Sequence, residues 1–226
     1  WHATLDYLER LLTGVQTQGA AAPLEPPQEE PAPHAAYIFL AEMLGRRVGE
    51  LHRALATVTG NPDFDPVPMT ADELEQWLQR VYQEVEITLE LLEQRSGQLP
   101  EQTRVSAASL IRLRSSLLAR IEAARVGQPS FVRTRYHGDL HLGQVLLVEN
   151  DFIIVDFEGE PARPMEERRA KGSILRDIAG VLRSYNYAAN AALKKATAER
   201  PAARETSAPL LAEWEAIAGD SFLRSY

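Results

Sequence analysis

Apolar residues that return every third or fourth position dominate the first 130 residues, and that period restricts this part of the chain to helices packed on one another. Between Ala35 and Val58, one stripe runs through Leu40, Leu44, Val48, Leu51 and Leu55 until "GNPDFDPVP" breaks it. Thr70 followed by Glu73 forms a capping box, in which each side chain accepts from the other residue's backbone N–H. The stripe that follows is Leu74, Leu78, Val81, Val85, Leu89 and Leu92. A third long helix is expected over Thr103 to Ala124, with Ile111, Leu117, Leu118 and Ile121 inward. "LDYLERLL" at Leu5 to Leu12 predicts a short helix with Gly14 just past its end. Ala20 to His34 holds five prolines and almost no bulky apolar residue, so it reads as a loop or linker.

Past residue 130 the period changes. "QVLLV" and "FIIVDF" are rich in β-branched residues, and Glu149, Asn150 and Asp151 between them form a turn sequence, which predicts a β-hairpin. His137, Gly138 and Asp139 fall just before its first strand and Asp156 at the end of its second. Antiparallel strands joined by a tight turn bring their outer ends together, so Asp139, Gln144 and Asp156 can converge at one mouth.

Composition removes several uses for such a mouth. The 226 residues contain no cysteine, so there is neither a disulfide framework nor a Cys-ligated metal site, and a cytoplasmic protein is expected. A net charge of -8 argues against sequence-independent binding to nucleic acid or anionic lipid. No apolar run approaches the ~18 residues of a membrane span, and "WHATLDYLERLL" lacks the regions of a signal peptide. A chain that opens on Trp inside a helical pattern reads as part of a longer protein.

Three chemistries remain. His137, Asp139 and His141 alternate and could place metal ligands on one face of a strand, although Gly138 and Gly143 suit a loop better. The same groups could simply satisfy buried backbone in a tight loop. The third use is phosphoryl transfer, which needs a carboxylate to orient and deprotonate a hydroxyl and oxygen ligands for magnesium. Protein kinases supply these as His-Arg-Asp, four residues, Asn, a hairpin and Asp-Phe-Gly; "HGDLHLGQ" and "DFEG" repeat the order, with Gln144 in place of Asn and Glu158 inserted before Gly159.

The HGD form resembles the aminoglycoside-phosphotransferase-like kinases, and the run from His137 to Ala189 is similar to maltokinases, a family that includes domains fused behind trehalose synthases. The resemblance extends from the first helix to "FLRSY" and is most specific over His137 to Ala189. It implies transfer of the ATP γ-phosphoryl to the reducing-end hydroxyl of maltose, giving maltose 1-phosphate. By the same resemblance Asp139 would be the catalytic base and His137 a brace for its loop. Gln144 and Asp156 would hold Mg2+ against the nucleotide, and Asp177 in "RDIA" would accept backbone N–H groups of the catalytic loop. Glu158, Glu160, Arg163, Arg176 and Tyr185 are candidates to contact the sugar.

Other candidates carry less. "EERRAK" from Glu166 to Lys171 reads as a solvated face, His52 as a hydrogen-bonded packing residue, and Tyr187 and Trp214 as core aromatics before sugar platforms. "KKATAERPAARETSAP", residues 194–209, reads as a polar linker ahead of a last amphipathic helix. No glycine-rich loop and no "VAIK"-like strand precedes His137. The expected architecture is therefore mainly α with one small hairpin: the helical C-terminal lobe of a kinase-like fold, residues 1–226. It divides into helices to 130, the catalytic loop, hairpin and metal segment at 131–164, and helices from 165. An N-terminal ATP-clamping lobe would lie elsewhere and the lobe alone would be inactive. The alternative is a carbohydrate-binding or docking module within a trehalose synthase assembly.

Overall fold

A computed structural model describes residues 1–18, 34–125 and 130–226. The proline-rich segment expected over residues 20–34 lies outside the described residues, His34 excepted. In chain order the elements are α1 (His2–Gln18), α2 (Ala35–Leu55), β1 (Val67–Pro68), α3 (Ala71–Arg95), α4 (Glu101–Arg112) and α5 (Arg114–Ala123). There follow β2 (Val132–Arg133), β3 (Val145–Val148), β4 (Asp151–Ile154), α6 (Met165–Arg169), α7 (Leu175–Glu199) and α8 (Arg204–Ser225). The fold is mainly α with small antiparallel ladders, as the change of period predicts. Among the described residues, no helix is long and apolar enough to cross a membrane.

The chain forms two compact units, residues 67–133 and the remainder. In the smaller unit, Glu73 donates its backbone N–H to Thr70 Oγ1 at 3.2 Å and Thr70 N–H returns to Glu73 Oε2 at 3.0 Å, so α3 starts at the expected capping box. Leu74 and Leu78 pack with Met69 in its small core. The single helix expected over 103–124 is two: the backbone turns at Leu113, whose N–H bonds Leu110 O in a tighter i−3 pattern. The turn lets α4 and α5 each lie along α3.

The larger unit is built on α2, α7 and α8, with α1 alongside α7. Leu8, Leu44, Val48, Val181, Tyr185, Trp214 and Phe222 form its buried centre. The seam of α2 is rotated from the expected stripe, because Tyr37, Ala41, Gly45, Gly49 and His52 are buried while Leu40, Leu51 and Leu55 are only partly so. Small residues explain the rotation. A methyl group on Gly45 would stand 2.4 Å from the Phe222 carbonyl oxygen, and one on Gly49 would stand 2.8 Å from that of Tyr226. Glycine thus lets the end of α8 touch the α2 backbone.

Two boundaries differ from expectation. Gly14 lies inside α1, and residues 194–209 are not a linker but the end of α7, a short turn at Pro201–Ala203 and the start of α8. Polarity there marks a solvent face and not a break: Ala, Lys and Glu are good helix formers, and Leu193 and Ala196 pack against the core. Pro201 opens its turn at a position that needs no N–H.

The close seam predicts opposite effects of one substitution at two sites. Gly45→Ala should destabilise the protein by about 1–3 kcal/mol through overpacking, whereas Gly14→Ala, where the added carbon meets no other described segment within 4 Å, should stabilise it by up to ~1 kcal/mol. Urea denaturation of both variants measures the difference.

Candidate active site

The hairpin sets the geometry of the mouth. Val145 pairs with Ile154, Leu146 with Ile153, Leu147 with Phe152 and Val148 with Asp151, so the turn is Glu149–Asn150 alone and Asp151 belongs to β4. Both turn residues have left-handed backbones, φ 49° and 65°, the signature of a two-residue turn matched to strand twist. The tip is clamped to α2, where Arg47 Nε and Nη2 donate to the two carboxylate oxygens of Asp151 at 2.8 and 2.7 Å. That fork, before any other cause, holds the Asp151 pKa down at about 2.

Asp177, in the first turn of α7, organises the loop on the other side of the mouth. Its buried carboxylate accepts from His137 N–H and Gly138 N–H, both at 2.8 Å, and Oδ2 faces His52 Nε2 at 3.1 Å. α7 approaches closely because of Gly180: a methyl group there would lie 2.2 Å from the Leu140 carbonyl oxygen. His52 sits buried in α2 in the hydrogen-bonded packing position expected of it, its Nδ1 bonded to the Tyr226 hydroxyl at 2.8 Å.

The partners of His137 define its ring. Nε2 meets the Val155 carbonyl at 2.8 Å, which can only accept, so Nε2 carries the proton and Nδ1 accepts the Asp139 N–H at 3.3 Å. With both nitrogens engaged by backbone, His137 has no lone pair for a metal, and the His137–Asp139–His141 ligand set is not formed. Among the described residues, no group of three His, Cys, Asp or Glu could hold a metal. His141 Nδ1 accepts the Gly143 N–H at 2.9 Å, and its Nε2 lies 3.9 Å from Asp139 Oδ2, too far for a hydrogen bond. The Asp139 carboxylate is thus partly exposed and not engaged by the His141 ring.

Gln144 and Asp156 meet, Nε2 to Oδ2, at 2.9 Å, and Val155 N–H bonds Gln144 O at 3.0 Å. Asp156 lies two residues beyond β4 rather than at its end, with φ 67°, a strained conformation for a non-glycine residue. That left-handed turn is where the chain leaves the strand. The pair fits magnesium chemically: one carboxylate and one amide oxygen suit a hard cation that retains water and phosphate ligands, provided the Gln144 amide presents Oε1.

The sugar candidates scatter. Glu160 binds Arg163 Nε at 2.8 Å and Arg176 Nη2 at 2.6 Å, and its carboxyl is held below the ordinary value, first by the Arg163 hydrogen bond. Glu158 is exposed beside Asp156, and its carbonyl accepts from Arg168. Tyr185 is withdrawn from the site: it is 1% exposed and packs edge-on against Tyr37 and Trp214, so it presents no face to a ligand. Trp214 is likewise core, and exposed Tyr187 lies under the Arg183 guanidinium. Residues 166–169 belong to the short, mostly exposed helix α6. Tyr226 carried no local signal in the sequence, because its partner His52 is 174 positions away.

The loop held by the buried Asp177, abutting a hairpin that leads into the paired Gln144 and Asp156, stands on a mainly helical scaffold of kinase-like fold. The chain belongs to the phosphotransferase enzyme family known as APH, whose model matches residues 1–200. A glucosamine kinase of Mycolicibacterium smegmatis is 29% identical over 183 residues, covering 81% of this chain and 39% of its own length. Another, from Streptacidiphilus jiangxiensis, is 27% identical over 226 residues, 100% of this chain and 42% of its own. The chain thus spans about two fifths of the length of these curated relatives. A solved glucosamine kinase in complex with glucosamine, ADP and inorganic phosphate shares the fold, with a TM-score of 0.68 at 22% identity over 100% of this chain and 47% of its own. These relatives are glucosamine kinases, not maltokinases or trehalose synthases.

The Arg47 fork has a pH signature. A carboxyl depressed from 3.8 to about 2 contributes stability that is present above the unfolded value and lost as pH falls through the folded one. Arg47→Ala should return Asp151 toward 3.8 and remove that part of the acid dependence between about pH 4 and 2. Carboxyl-carbon NMR titration of wild type and variant reads the change directly.

Proposed function

We propose that this chain is the catalytic lobe of an ATP-dependent sugar kinase. The carrying observation is the Asp139 loop, fixed by Asp177, beside the Gln144–Asp156 pair. In this reading Asp139 accepts the proton of a sugar hydroxyl whose oxygen attacks the γ-phosphorus, as the bond from that phosphorus to the ADP oxygen breaks. His137 holds the loop and does not exchange protons with substrate, since both its nitrogens serve backbone groups. Gln144 and Asp156 would hold magnesium, which when bound neutralises charge across the nucleotide phosphates. The rest of the nucleotide clamp, in this reading, comes from chain beyond these residues, so the activity belongs to the full-length protein.

The names of the relatives favour glucosamine as the acceptor. An ammonium-bearing sugar also suits the exposed carboxylate of Glu158, two residues after Asp156, better than a neutral one. Maltose is the second reading, favoured by the resemblance of residues 137–189. Glu160, already shared between Arg163 and Arg176, shapes the site more than it binds sugar.

Full-length protein should convert ATP to ADP with one of these sugars and magnesium. Asp139→Asn should lower kcat by about a thousandfold or more with little change in folding, a ~4 kcal/mol loss of transition-state stabilisation. Asp156→Asn should raise the magnesium requirement. A coupled ADP assay over glucosamine, maltose, glucose and trehalose decides the acceptor; no turnover with any sugar would refute the kinase reading.

A further inference from the structure

We infer that Tyr226 is a positioning residue for the Asp139 loop, its hydroxyl donating to His52 Nδ1 and thereby fixing the imidazole that completes the donor set on Asp177. The inference rests on the kinase reading only for its effect on turnover.

The contacts fit one arrangement of protons, with a single proton on the His52 ring. The Asp177 carboxylate is acceptor only and already receives His137 N–H and Gly138 N–H at 2.8 Å, so the His52 nitrogen facing it at 3.1 Å is the protonated Nε2. Nδ1 of the neutral ring is then an acceptor, and the Tyr226 hydroxyl at 2.8 Å is the donor it meets. The two rings stand nearly perpendicular, 78°, with centroids 5.5 Å apart. Burial and the Asp177 charge both raise the Tyr226 pKa, which keeps the phenol protonated and able to donate.

The backbone around Tyr226 is built for this placement. Its N–H bonds Phe222 O at 3.0 Å, continuing the last turn of α8, and its carbonyl lies where a methyl group on Gly49 would come within 2.8 Å. Gly45 and Gly49 therefore bring Tyr226 against the same helix that carries His52. His52 and Asp177 are 3% and 1% exposed, so water is not at hand to replace a missing donor. From Tyr226 to Gly138, one next to Asp139, every link is a single hydrogen bond. Tyr226 touches neither Asp139 nor the Gln144–Asp156 pair; its action passes through His52 and Asp177.

Tyr226→Phe in the full-length protein tests the inference. In wild type, 15N NMR of His52 should show a protonated Nε2 and a hydrogen-bonded lone pair on Nδ1. The variant should move the Nδ1 resonance toward that of a free lone pair and speed amide exchange at His137 and Gly138 about tenfold, with α3 amides unchanged. Its kcat should fall about tenfold with KM for sugar and nucleotide constant, and 4-aminophenylalanine at position 226, which restores a donor, should recover it. A protonated Nδ1 in wild type, unchanged exchange at His137 and Gly138, or unchanged kcat in Tyr226→Phe overturns the inference. So does failure of the amino variant to recover kcat, since packing alone would then account for the loss. If the wild-type protein phosphorylates no sugar, the kinase reading fails, and the NMR and exchange measurements decide the positioning chain by themselves.

Discussion

The larger unit depends on one buried carboxylate. Asp177 receives two backbone N–H groups of the loop before Asp139 and faces the His52 imidazole. A buried charge left unpaired costs several kcal/mol, about 3–5 when one partner of a pair is removed, so all three donors are held by need and not by preference. α7 carries the carboxylate, α2 the imidazole and the loop the amides, and each element is thereby tied to the other two. Gly180 makes the arrangement possible by letting α7 lie against the Leu140 carbonyl.

A second tie runs from the loop to the hairpin. His137 Nε2–H bonds Val155 O, and a methyl group on Gly138 would stand 3.4 Å from Gly159 Cα, so the segments before Asp139 and after Asp156 are in contact. Asp156 departs from the strand in a left-handed conformation that costs a non-glycine residue about 1–2 kcal/mol. The surrounding bonds offset that strain. In the proposed reading, these ties hold Asp139 and the Gln144–Asp156 pair in place for phosphoryl transfer, whose catalysis comes mostly from positioning and electrostatics.

What the sequence disclosed follows the range of the physics involved. The capping box at Thr70 and the hairpin at residues 145–154 rest on contacts between near neighbours, and both are present where their residue types place them. The hairpin brings Gln144 opposite Val155, and the left-handed turn at Asp156 completes its meeting with Gln144. Boundaries were less legible where polarity stood in for propensity, as at residues 194–209, where helix-forming side chains simply face solvent. Tyr185 illustrates the limit for aromatics, since ring stacking on a ligand and edge packing in a core require the same residue at the same helical spacing. The α2 seam was hidden because glycine carries no apolar signal, and the Tyr226–His52 bond joins residues too distant for any local pattern.

The hairpin also acts as a ruler. Its register sets Gln144 and Asp156, twelve positions apart in sequence, against each other, and a slip of one residue would turn every side chain of β4 to the opposite face. Length added inside either strand would therefore unmate the mouth, whereas length added between Glu149 and Asn150 would leave the ladder below it in step, with the Arg47 fork still holding Asp151. The tip is thus the place where this chain can carry an inserted segment, and the strands are the place where it cannot.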